Sequence, residues 1–182
     1  LSADGTWKLN LTSSFIALST LRYTRWEEFA QALDRPLAQF IQIYQPAFFE
    51  RIGLRYVNIF SRKALELESE PWRELMTSPY LGVLAEEDVD ESRTQKCSVD
   101  VELSLDSTCK AKIHAGPGMI KKNVPNAPQD PEVKFILDMD LFMGGQIDPR
   151  MAAGGLETLH GHSTSLFQGA ITDKLHSALE PR

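Results

Sequence analysis

The chain has 182 residues, 42% hydrophobic and 24% charged, with a formal net charge of −6. These are the values of a globular domain long enough to bury a core, so collagen-like and disordered classes are excluded, and no apolar run nears the roughly 18 residues of a membrane span. An acidic chain is not the footprint of a nucleic-acid binder, which concentrates Lys and Arg on one face.

Asp4-Gly5 is a hairpin turn signal, followed by a strand expected from Thr6 to about Ser19, with Trp7, Leu9 and Leu11 alternating against Lys8, Asn10 and Thr12. The partner of that strand would lie before Asp4, where only three residues stand, which predicts a chain that is the C-terminal and larger part of a longer protein. Thr24-x-x-Glu27 reads as a capping box opening a helix. Its apolar face runs through Trp26, Phe29, Ala30, Leu33, Leu37, Phe40, Ile41 and Tyr44. Pro36 predicts a kink or a restart capped by Asp34, and Pro46 ends the helix. Arg51 to Phe60 reads as a strand, and Ser69-Glu70-Pro71 opens a short helix to about Thr77.

Charge is uneven along the chain. Residues 22–63 carry seven cations against four acids, whereas residues 64–106 carry three against twelve. The stretch Glu86-Glu87-Asp88-Val89-Asp90-Glu91 reads as a solvated, self-repelling loop without the spacing of a calcium loop.

Cys97, Val99, Val101, Leu103 and Leu105 alternate with polar residues, and Cys109, Ala111, Ile113 and Ala115 form the return strand of a hairpin turning near Ser107. In simple register Cys97 faces Pro117 and Cys109 faces Leu105. That is too far apart for a disulfide, so two buried free thiols are expected, as in a reducing cytoplasm. Neither cysteine is beside a His in sequence, so no metal site is expected. A Pro-rich loop from Asn123 to Pro131 leads to a strand with Val133, Phe135, Leu137, Met139 and Leu141 on one face. A helix is predicted from about Gly155 to Leu179, its stripe running through Leu156, Leu159, Ser163, Leu166, Phe167, Ala170, Ile171, Leu175 and Ala178. Gly169 beside that stripe suggests close packing on the sheet. The order of elements implies one α+β domain over 1–182, an antiparallel sheet covered by two long helices in two layers, and no Rossmann-like βαβ alternation.

Three stretches together resemble a known family: Phe15 to Trp26 followed by Phe29, the segment Arg51-Ile52-Gly53-Leu54-Arg55-Tyr56-Val57-Asn58, and Leu159-His160 through Phe167 and Ile171-Thr172-Asp173. The chain resembles the sporadically distributed prokaryotic family of conserved hypothetical proteins whose hallmark is similar to "RIGLRYxN". The resemblance implies a further N-terminal strand-and-helix portion and a prokaryotic source, and it implies no catalytic residues.

Candidate chemistry comes from few residues. Arg51 and Arg55 share a strand face with Gly53 and could grip an anion, though they stand about 13 Å apart along a strand. Asp138 and Asp140, opposite the apolar face of their strand, are their natural partners and could otherwise hold a metal or split their pKa values. Asn58 and His160 complete the expected ligand-binding set. His160 and His162 on a helix point about 200° apart and cannot share one metal. No Gly-x-Ser-x-Gly, His-Glu-x-x-His or P-loop pattern is present. The expectation is a cytoplasmic, non-catalytic module that binds a protein partner, a second copy or a small ligand, with no cofactor, nucleic acid or membrane. The alternative is a helix-grip-like cavity protein, carrier or enzyme, using Arg51, Arg55, Asn58 and Asp138.

Overall fold

The computed structural model describes residues 2, 4–120 and 130–180, so most of the predicted Pro-rich loop lies outside the described residues. Where the sequence reads as one domain, the chain gathers into two compact units, residues 1–51 with 145–155 and residues 52–144 with 156–182.

The first unit holds β1 (Trp7–Leu11), β2 (Ile16–Thr20) and α1 (Trp26–Tyr44). The single strand expected from Thr6 to Ser19 is a hairpin instead. β1 pairs antiparallel with β2, Trp7 opposite Thr20 and Leu11 opposite Ile16. The reversal is made by Thr12, whose hydroxyl accepts the amides of Ser14 and Phe15, a short polar side chain competing with the ladder for backbone donors. The Asp4-Gly5 turn is present, with Gly5 at φ 70° and Asp4 Oδ1 accepting the Thr6 amide at 3.0 Å.

Helix α1 starts one residue after Arg25, with no side-chain cap on its amides. The predicted capping box therefore does not form. Thr24 donates to the Glu28 carboxylate at 2.6 Å, and Arg25 pairs with the same carboxylate at 2.8 Å. Pro36 lies inside one uninterrupted 19-residue helix, so the expected restart is absent. The apolar stripe is real but shallow. Trp26 is its one buried residue, and Phe29 stacks on Trp26 and tilts against Trp7 with ring centroids 6.1 and 5.8 Å away.

The second unit is built on a four-stranded sheet of order β3-β6-β5-β4, where β3 is Phe49–Phe60, β4 Val99–Ser104, β5 Cys109–Met119 and β6 Val133–Ile147. β4 and β5 pair antiparallel with Val99 opposite Ala115 and Ser104 opposite Lys110. This is the register the hairpin pattern predicts. β5 and β6 pair antiparallel from Cys109 opposite Met143 to Met119 opposite Val133. Period-2 patterning puts Ile52, Leu54 and Phe60 of β3, Cys109, Ala111, Ile113 and Ala115 of β5, and Phe135, Leu137, Met139 and Leu141 of β6 in the core. β4 has the cleanest alternation in sequence, yet Val101 is 36% exposed because β4 is an edge strand with a neighbour on one side. Gly116 allows a close backbone approach, since a Cβ there would meet the Cys97 carbonyl oxygen at 2.5 Å.

The expected C-terminal helix is two helices, α2 (Ala152–Ala170) and α3 (Asp173–Leu179). Residues 75–77 cut between them. The Thr77 amide donates to the Ala170 carbonyl, the Thr172 amide donates to the Leu75 carbonyl, and Met76 and Ile171 form an antiparallel bridge. Thr172 then caps α3 by accepting from the Leu175 amide. Leu159, Ser163, Ala170 and Leu175 are buried as the stripe predicts. A Cβ on Gly169 would meet nothing within 4 Å, so that glycine does not serve close packing. The arrangement is α+β with antiparallel sheets, but there are two sheets, and the two long helices do not share one: α1 groups with the β1–β2 hairpin and most of α2 with the four-stranded sheet. No described helix is long and apolar enough to cross a membrane.

The predicted helix over residues 71–77 is a single turn, Trp72–Glu74, followed by further single turns at Ser78–Tyr80, Gly82–Ala85 and Glu91–Arg93. Trp72 is 1% exposed and its ring packs 5.3 Å from Phe135. Glu91 is not part of a wholly solvated acidic run. Its carboxylate accepts from the Trp72 amide at 2.7 Å and from Arg62, whose guanidinium lies 4.4 Å above the Trp72 ring. Glu86, Glu87, Asp88 and Asp90 stay exposed.

Candidate functional site on the open sheet face

Alternation on β3, β5 and β6 sends one set of side chains into the core and the other to the opposite face. On that opposite face Arg55 of β3, Asp138 and Asp140 of β6, Lys112 and His114 of β5, and Asp100 and Glu102 of β4 surround a depression of about 500 Å³. Strand register orders them in two rows. His114 lies between Asp138 and Asp100, and Lys112 lies between Asp140 and Glu102. Arg55 extends the first row by donating to both oxygens of Asp138, with Nε at 2.8 Å and Nη2 at 2.5 Å. This two-pronged contact is the strongest geometry a guanidinium offers a carboxylate, and the bond to Asp138 pushes the Arg55 pKa above its ordinary value.

His114 Nδ1 is 2.7 Å from Asp100 Oδ1, and Lys112 Nζ is 3.6 Å from Glu102 Oε2. Four carboxylates thus face two permanent cations and one imidazole. The depression has acidic excess while nearly every charge has a cross-strand partner. Exposed pairs of this kind add little stability.

The expected ligand residues divide between the two sides of the sheet. Arg55, Asp138 and Asp140 meet on the open face as the sequence suggested, and Arg51 belongs to the other compact unit. Asn58 and His160 stand on the helix side. Asn58 Nδ2 donates to the Leu137 carbonyl at 3.3 Å, and His160 Nδ1 is 3.2 Å from the Tyr56 hydroxyl. Sequence reasoning missed Asp100, Glu102, Lys112 and His114 as members of the site. Their alternation was legible, but the register that aligns them with Asp138 and Asp140 is a property of the assembled sheet.

A second cluster lies where the β4–β5 turn meets α2. Asp106, Cys109 and His162 each offer a ligand atom within 4.8 Å of the others. His160 and His162 point to different partners, as their helical spacing requires. Cys97 and Cys109 are free thiols, and Cys109 is fully buried.

No family model, curated protein or solved structure matches the chain. The chemistry of the site therefore stands on its own geometry.

Proposed function

We propose that the chain is a non-catalytic binding module of the prokaryotic cytoplasm and that the open face of its four-stranded sheet receives a basic peptide segment of a protein partner. The observation that carries the reading is the acid-rich depression with Arg55 held by both oxygens of Asp138. That contact is a ready template for an incoming guanidinium, because the same oxygens and the neighbouring Asp140 and Asp100 accept charge-assisted bonds. The His114–Asp100 pair faces no hydroxyl or thiol among the residues lining the depression, so the lining suits holding a ligand more than activating a nucleophile. The helix-grip alternative needs Arg51, Arg55, Asn58 and Asp138 around one space, whereas Asn58 reaches toward the helix side and Arg55 and Asp138 line the open one. The resemblance of Arg51–Asn58 to the conserved-hypothetical family agrees with a prokaryotic module and names no activity.

The test is a titration of the isotope-labelled chain with a short arginine-rich peptide, followed by amide chemical shifts. The expected shifts gather at Arg55, Asp100–Glu102, Lys112–His114 and Asp138–Asp140, and the double variant Asp100→Asn with Asp138→Asn weakens binding by about tenfold or more. Shifts confined to the exposed Glu86–Asp90 stretch, or binding unchanged in the double variant, would overturn the reading.

A further inference from the structure

We propose that Asp106, Cys109 and His162 form a binding site for a zinc-class divalent metal ion. The three bring a thiol sulfur, an imidazole Nε2 and a carboxylate oxygen within 4.8 Å of one another. Ligands around a tetrahedral zinc at bond lengths of about 2.0–2.3 Å stand roughly 3.3–3.8 Å apart. The present separations approach that shell. The His162 Nε2 to Asp106 Oδ2 contact of 2.9 Å needs only to open as a metal replaces the shared proton.

The donors are positioned before any ion arrives. Asp106 Oδ1 accepts the amides of Thr108 and Cys109 at 2.7 Å each, which aims Oδ2 at His162. Cys109 is the first residue of β5 and is fully buried, and His162 sits on α2 beside Leu159 and Ser163, both buried. The sequence spacing is a short Asp-x-x-Cys pair and a distant His, a pattern in which one ligand pair is local and the fold supplies the third.

The ligand chemistry selects the metal class. Calcium and magnesium take oxygen donors, whereas a mixed sulfur, nitrogen and oxygen set suits zinc and its substitute cobalt. A divalent ion of this class binds the sulfur as thiolate, displacing the thiol proton. Three protein donors leave a fourth position, and the half-exposed side chains of Asp106 and His162 leave it open to water. The bound ion would tie the β4–β5 turn to α2, with Cys109 on the buried side of the sheet while Glu102 and Lys112 of the same hairpin line the open depression.

The experiment titrates the untagged, chelator-treated chain with cobalt(II) and follows its absorption spectrum, with zinc competition to rank affinity. One cobalt per chain is expected, with a near-ultraviolet thiolate-to-cobalt band that zinc abolishes. Cys97→Ser keeps the band. Cys109→Ser removes it, and His162→Ala and Asp106→Asn each weaken binding by about tenfold or more. Because Cys109 is buried and its replacement could impair folding, the half-exposed His162→Ala decides the matter alone. A spectrum with no thiolate band, or a band whose affinity is unchanged in His162→Ala, overturns the site.

Discussion

Phe135, Leu137 and Leu141 on β6 are fully buried, while Asp138 and Asp140, interleaved with them on the same strand, line an open, charged depression. One strand thus serves two faces with opposite physics. The helix-side face gains stability from apolar area removed from water, at about 25 cal/mol per Å². The open face arranges charges in cross-strand rows that stay near solvent and contribute little to folding. The contrast teaches where mutation should be felt. Stability resides in Phe135, Leu137, Met139 and Leu141 of β6, while Asp138 and Asp140 belong to the charged face.

Leu137→Ala breaks the contrast from the buried side. Leu137 is 0% exposed, so its truncation leaves a cavity that the packed surroundings cannot close. Urea unfolding should show a loss of about 2–5 kcal/mol. A loss no larger than that of a surface residue would mean the helix side is not the core.

The turn at the end of the β4–β5 hairpin is sensitive to acid. The Thr108 amide, then the Cys109 amide and His162, hold the Asp106 carboxyl well below the ordinary carboxylate range. A depressed folded-state pKa contributes stability that is present above the unfolded value of about 3.9 and lost as pH falls below it. Asp106→Asn should therefore flatten part of the decline in melting temperature below about pH 4. Parallel acid limbs in variant and parent would remove Asp106 from that role.

Arg55→Ala sharpens the contrast from the open side and carries the smallest expected effect. The side chain is 59% exposed although it grips Asp138 with two bonds. Its removal should change unfolding free energy by less than about 1 kcal/mol while altering peptide binding at the depression. A large loss of stability would show that the charge rows hold the sheet together.

Much of the second unit was legible before any coordinates. The alternation of Cys97 to Leu105 against Cys109 to Ala115 predicts the hairpin and which residues share a face, and the turn near Ser107 fixes its register. The same logic places Asp138 and Asp140 opposite the core, and charge complementarity marks them as partners of Arg55. Three local signals misled. Thr24-x-x-Glu27 has capping-box spacing, but its hydroxyl binds Glu28. Thr6 to Ser19 reads as one strand because the turn at Thr12 depends on a side-chain bond rather than on Gly or Pro. The stripe through Ile171 continues a helical period across a break made by residues 75–77, a segment about a hundred positions earlier.

Sequence alone determined which residues face inward on β5 and β6, the pairing of β4 with β5, and the separation of His160 from His162, from the fixed periods of strand and helix and the place of the turn near Ser107. Only the tertiary structure decided what those residues meet. Asp100, Glu102, Lys112 and His114 join Arg55 because β3, β6, β5 and β4 lie side by side in that order. Glu91 leaves an acidic run to hold Arg62 and the Trp72 amide. Cys109 and His162, 53 positions apart in a chain whose sequence set neither beside the other, come together with Asp106 where a turn packs against a helix. Such meetings depend on long-range packing, which no local period encodes.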